Sequence, residues 1–168
     1  ADVDPAALLE AYCRAMPHGF LGYDRRGNPV LYKGFNATTR MRDLAEMGMD
    51  TPTCVRYNLW LTERLLSIVG HRGQWTIVFD LDGLGMGEFN RRGLSFTHQL
   101  MRLDADHYPE RLNQVFIVNS PFFLASFWRR MSTWVDAKTR KKIQLLAGRD
   151  QWAPLAEALD LRMLPVRC

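Results

Sequence analysis

The run Trp75-Thr76-Ile77-Val78-Phe79 carries one polar residue, Thr76, and ends in Asp80-Leu81-Asp82-Gly83. An extended segment alternates its side chains between two faces, so this one is apolar on both. A strand of that kind belongs in the interior of a largely parallel sheet, covered by helices on each side. The segments around it alternate between helical and extended patterns, which places the chain in the α/β layered class.

Asp4-Pro5 opens a helix with Leu8, Leu9, Tyr12 and Met16 on its apolar face. The stretch from His18 to Tyr23 leads into a turn, Asp24 to Asn28, and Pro29 to Tyr32 reads as a strand. Thr38 or Thr39 can cap a short helix carrying Met41, Leu44 and Met47. A longer helix starts at Thr51-Pro52, buries Val55, Leu59, Thr62, Leu66 and Val69, and stops at Gly70. Glu88 to His107 reads as a helix with Phe89, Phe96, Leu100 and Leu103 on one side. Val115 to Val118 is a short buried strand, and Ile143 to Ala147 is a second apolar run. Asp150 to Leu159 forms a last helix, and Leu161 to Val166 a final edge strand. About five strands and their helices fit one domain spanning residues 1–168.

Between Pro121 and Val135 the chain is unusually aromatic. Wound at about 100° per residue, Phe123, Phe127, Met131 and Trp134 form one stripe, widened by Leu124, Trp128 and Val135. Rings and a thioether give a large, adaptable surface suited to a soft partner. The same stripe also serves an ordinary core helix.

In order along the chain stand Asp24-x-x-Gly27-Asn28-Pro29-Val30, Asp80-Leu81-Asp82-Gly83, Tyr108-Pro109-Glu110-Arg111, the turn Asn119-Ser120-Pro121, the aromatic helix, and Val135-Asp136-x-x-Thr139-x-x-Lys142-Ile143. This ordered set, across roughly residues 17–148, resembles the CRAL-TRIO (Sec14-like) lipid-binding domain. The resemblance implies an α/β fold with an apolar lipid pocket above the sheet, closed by a mobile gate helix. Residues 1–16 would then be a leading helix, the end of an N-terminal helical module. The implied function is non-enzymatic: one lipid is bound, then transferred or presented at membranes. In phosphatidylinositol-binding relatives the Glu of YPER and the Thr and Lys of D-x-x-T-x-x-K serve the inositol headgroup; here these are Glu110, Thr139 and Lys142. Pocket and gate candidates are Trp75, Ile77, Phe79, Phe96, Leu100, Phe116, Val118, Phe123, Phe127, Met131 and Trp134, with Leu145 as a further wall residue. Alternation lets only half of the strand residues face the pocket. Choline-lipid-binding relatives place hydroxyl side chains where this chain has Trp75, Ile77 and Phe79, so phosphatidylinositol is favoured, with sterols and other isoprenoids left open.

Composition narrows the partners. Net charge is +4, with 22 basic and 18 acidic residues. That tilt suits an anionic membrane surface better than nucleic acid, for which no basic stripe interleaved with exposed rings exists. No apolar run reaches the roughly 18 residues of a membrane span. The three cysteines (Cys13, Cys54, Cys168) make no disulfide framework, and the four histidines have no ligand spacing. A reducing, cytoplasmic setting, peripheral membrane association, a monomer and no cofactor or metal are expected. The chain starts at Ala1 and reads as an excised domain.

Two rival readings stand beside this one. Asp-x-Asp-Gly at a strand end resembles haloacid-dehalogenase-type phosphatases, with Asp80 as nucleophile, Asp82 as acid/base, Mg²⁺ between carboxylate and phosphate, and Ser120 and Lys142 on phosphate. Leu84 after the motif, its late position and the lack of a closing acidic pair depart from that pattern. The other rival is a scaffold of the same fold whose pocket is plugged by its own rings. The bland role for Glu110 and Lys142 is a structural ion pair, with Arg111, Arg140 and Lys141 solvated.

Overall fold

A computed structural model describes residues 5–35, 50–70 and 73–165. Among them five strands form one mixed sheet: β1 (His18–Tyr23), β2 (Pro29–Gly34), β3 (Trp75–Asp80), β4 (Leu112–Val118) and β5 (Ile143–Leu145), hydrogen-bonded in that order. β1 runs antiparallel to β2, and every later pairing is parallel. β3 lies at the centre, as its doubly apolar sequence requires.

The count of five agrees with the sequence reading, but the membership differs. β1 is a strand where the sequence reading has only a lead-in, because the two glycines of His-Gly-Phe-Leu-Gly-Tyr interrupt its pattern. Gly22, at φ +123° where the register against β2 shifts, lets this strand bulge. The expected last strand is instead a 3₁₀ turn, Leu161–Met163, capped by the Asp160 carboxylate accepting from the Arg162 N–H at 3.0 Å. The proposed cap at Asp4 and the short helix near Met41, Leu44 and Met47 lie outside the described residues.

Helix α1 spans Pro5–Ala15, α2 Thr51–Val69 and α3 Arg91–His107. Asp50 caps α2 by accepting from the Thr53 N–H, and Gly70 ends it at φ +68°. A short 3₁₀ turn, Met86–Phe89, precedes α3. After β4 come α4 (Leu124–Met131), a 3₁₀ turn (Ser132–Trp134) and the single turn α5 (Ala137–Arg140). Helix α6 (Trp152–Ala158) follows β5.

The pleat divides the side chains between two layers. On one face Val30, Tyr32, Val78, Phe116 and Val118 pack with Leu155 and Leu159 into a closed core. Leu31, Ile77, Val115 and Ile143 stand level on the other face, followed by Lys33, Phe79, Ile117 and Leu145 one pleat further on. That second face meets α2, α3 and α4.

At the β1–β2 turn one buried carboxylate ties the turn to β3 and β4. Asp24 Oδ1 accepts from the backbone N–H groups of Arg26 (2.9 Å) and Asn28 (2.8 Å). Its Oδ2 accepts from Thr76 on β3 (2.8 Å) and Asn113 on β4 (3.1 Å). Burial alone would raise its pKa, but these bonds outweigh burial and hold it below the usual range.

Candidate functional site

The second face is not closed. A cavity of about 430 Å³ lies between the sheet and helices α2, α3 and α4, floored by Trp75, Ile77, Phe79, Val115 and Ile117. That volume is in the range of small-molecule and cofactor sites. The sheet alternation decides which expected residues reach it. Trp75, Ile77 and Phe79 line it, as do Phe96 and Leu100 from α3. Phe116 and Val118, named with them, point through the sheet into the opposite core. Leu145 joins the apolar cluster of Leu81, Leu124 and Met131.

The aromatic segment forms its helix one residue later than its stripe implies. Since α4 begins at Leu124, the face on the cavity is Leu124, Trp128 and Met131. Of the four stripe residues, Met131 lines the cavity. Phe123 and Phe127 pack on Phe89, with ring centroids 5.3 and 4.6 Å away. Trp134, past the helix end, meets His98 of α3 at 4.8 Å. Phe122 just ahead of the helix is 89% exposed.

Glu110, Thr139 and Lys142 all line one end of the cavity. The backbone brings them there. Glu110 ends the turn that leads into β4, and its φ of +62° is a left-handed conformation seldom used outside glycine. Asp136 caps α5 by accepting from the N–H groups of Lys138 and Thr139, which holds the loop before β5 in place. Glu110 makes its short ion pair with Lys138, at 2.7 Å, whereas Lys142 stands 4.0 Å from the carboxylate. The Lys138 hydrogen bond and charge keep the Glu110 carboxyl below its ordinary pKa. Lys142 donates to the Leu112 carbonyl, and its side chain is 20% exposed. Lys138 was not among the expected headgroup residues, although it lies in the same basic run. Arg111, expected as solvated charge, is a staple: its guanidinium donates to the carbonyls of Gly70 (3.2 Å) and Gly73 (3.0 Å).

Several polar cavity residues escaped the sequence reading. Lys33, Asn58, Thr62 and Asp104 all line it. Lys33 had a visible signal, a lysine in register with Leu31 in an otherwise apolar strand.

The phosphatase constellation is not assembled. Asp80 lies on the face opposite the cavity, where its carboxylate accepts from Tyr32 Oη (3.0 Å), Asn119 Nδ2 (2.9 Å) and the Asp82 N–H (3.1 Å). It ends β3, whereas Lys142 precedes β5 at the other end of the parallel sheet. Among the described residues no three His, Cys, Asp or Glu side chains converge as metal ligands would. Nor do the chain's rings fill the cavity: Trp75 packs edge-on against Tyr108 at 6.2 Å and leaves the space open.

A mixed five-stranded sheet with an apolar chamber under three helices defines an α/β layered class. Residues 15–168 match the model of the CRAL/TRIO domain, and the chain belongs to that family. It is similar to the phosphatidylinositol/phosphatidylcholine transfer proteins SFH7 (30% identical over 166 residues) and SFH12 (28% over 166 residues) of Arabidopsis thaliana. Each alignment covers 94% of this chain and 30% of the relative, so the chain spans under a third of their length. A crystal structure of Sfh5 superimposes with a TM-score of 0.67 at 20% identity, covering 86% of this chain and 51% of that one, which shows the fold. Among the described residues no helix is long and apolar enough to cross a membrane.

Proposed function

We propose that this chain encloses one lipid in the cavity, a phospholipid of the phosphatidylinositol type, and transfers it between membranes or presents it at them without chemical change. The observation that carries the reading is the open, apolar chamber with Glu110, Thr139, Lys138 and Lys142 gathered at one end. An acyl chain suits the apolar part, where each buried CH₂ group contributes about 0.8 kcal/mol. The polar end matches an inositol phosphate: Lys142 and Lys138 can donate to phosphate oxygens, while Glu110 accepts from ring hydroxyls. The transfer activity in the names of the Arabidopsis relatives supports the same reading.

Lys142→Ala tests the headgroup assignment. A charge-assisted hydrogen bond contributes about 1.5–3 kcal/mol, so phosphatidylinositol uptake from vesicles should fall roughly 10- to 100-fold. Uptake of diacylglycerol, which lacks the phosphate, should hold. Equal loss of both would make Lys142 a structural residue.

In this proposal α4 is the gate, and Phe122 leads it into the bilayer. Phe122→Asp removes an exposed ring and so leaves the fold undisturbed, but a carboxylate at bilayer depth costs several kcal/mol. Transfer between vesicles should slow at least about tenfold at unchanged thermal stability. Undiminished transfer would remove this segment from membrane contact.

A further inference from the structure

The cavity holds a second polar locus, away from Glu110 and Lys142. Lys33 stands three strands from β5 and three residues further along the sheet than Lys142. At about 4.8 Å per strand and 3.3 Å per residue, the two Cα atoms are roughly 17 Å apart. Lys33 Nζ donates to Asn58 Oδ1 at 3.1 Å. The Asn58 amide is itself fixed, since its Nδ2 donates to Tyr12 Oη (2.8 Å) and the Cys54 carbonyl (2.9 Å). One of the three ammonium donors is thereby used, with the Phe79 ring 5.8 Å away. Asp104 of α3 lines the same chamber. Among the described residues its carboxylate has no hydrogen bond, and neither it nor Lys33 forms an ion pair within 4.0 Å.

Opposite charges that line one apolar chamber without touching leave room for a third group. Each charge is disfavoured by burial and partly relieved by the other: Lys33 is shifted down and Asp104 up. Their sum is zero, so the locus does not select a bare anion. It offers a donor on one side and an acceptor on the other, which is the complement of an alcohol. The other walls of the chamber are mostly apolar, among them Phe35, Phe79, Phe96 and Leu100.

We propose that Lys33 and Asp104 form a hydroxyl-binding subsite inside the cavity, Lys33 donating to the hydroxyl oxygen and Asp104 accepting its proton in a hydrogen bond. The ligand class it adds is a lipid with a hydroxyl on its apolar body, or a long-chain alcohol. The subsite rests on the lipid-container reading and refines which lipid the container takes.

The test compares 1-hexadecanol with 1-methoxyhexadecane, which keeps the oxygen acceptor and loses the donor. Both are delivered from cyclodextrin to the full chain, and binding is read from the change in intrinsic tryptophan fluorescence and from native mass. The alcohol should bind at least tenfold more tightly than the ether. In the charge-neutral double variant Lys33→Met/Asp104→Leu both should bind as the ether does. Equal binding of the two to the unaltered chain overturns the subsite. So does a preference that survives in the double variant, since it would then reflect the ether's extra methyl group. Binding of neither probe overturns the subsite when the same chain takes up phosphatidylinositol from vesicles, and overturns the lipid-container reading when it does not.

Discussion

Ile77→Trp is expected to abolish lipid uptake while the fold survives. Ile77 sits in the middle of the cavity floor, flanked in register by Leu31 and Val115. Its side chain faces open space, so an indole there fills volume the ligand needs rather than displacing protein. Overpacking a closed core costs about 1–3 kcal/mol, and here the chamber absorbs most of it. Uptake of fluorescent phosphatidylinositol from vesicles should fall by at least about tenfold. Far-UV circular dichroism should be unchanged. The same substitution one residue on, at the fully buried Val78, should do the reverse of preserving the fold, because the opposite face has no space. Retained uptake in Ile77→Trp would mean that the ligand does not occupy this chamber.

Asp24→Ala is expected to be the most destabilising change to a polar residue. It removes the acceptor shared by the Arg26 and Asn28 amides, Thr76 and Asn113, and leaves Thr76 buried without that bond. Hydrogen bonds to a buried charge contribute about 1.5–3 kcal/mol, and orphaned donors add to the loss. A net cost of about 3 kcal/mol corresponds to a Tm lower by roughly 6–12 °C for a chain of this size. Since Asp24 is shifted below its ordinary value of 3.8, its contribution is complete above that pH and is lost as pH falls through the lower native value. Acid titration of Tm should therefore show a loss near and below pH 3.8 that Asp24→Ala lacks. A Tm within 2 °C of the unaltered chain, by scanning calorimetry, would refute the role given to this carboxylate.

The sheet and its parallel core were legible because β3 has no polar face and its neighbours are bounded by clear turns. Helix ends marked by proline or glycine were legible too: the helix opened by Thr51-Pro52 and stopped at Gly70 runs from Thr51 to Val69. What failed was the rotation of helices about their axes. Near α1 the expected Tyr12 and Met16 are buried together with Ala11 and Ala15, while Leu9 is 45% exposed, because small alanines allow close packing against Cys54 and Phe96. On α2 the buried positions are Cys54, Asn58, Thr62 and Leu65 rather than the more apolar Val55, Leu59 and Leu66. Asn58 bonds Lys33 and Tyr12 while Thr62 bonds its own helix, so polarity there signals a chamber and not a surface. On α4 the start at Leu124 shifts the stripe toward Trp128. In each case tertiary packing outweighed the apolar count. At the candidate site, the ordered motifs placed Glu110, Thr139 and Lys142 at one end of one cavity, whereas Asp104 gave no sign of itself in a helix otherwise rich in charge.

The measurement closest to the central claim is native mass spectrometry of the chain after incubation with vesicles of mixed phosphatidylinositol, phosphatidylcholine and sterol, followed by extraction and identification of whatever is bound. A single adduct of lipid mass per chain, enriched in phosphatidylinositol over its share in the vesicles and lost in Ile77→Trp, is the expected result. The bare mass of the chain after that exposure, with the fold intact, would contradict it.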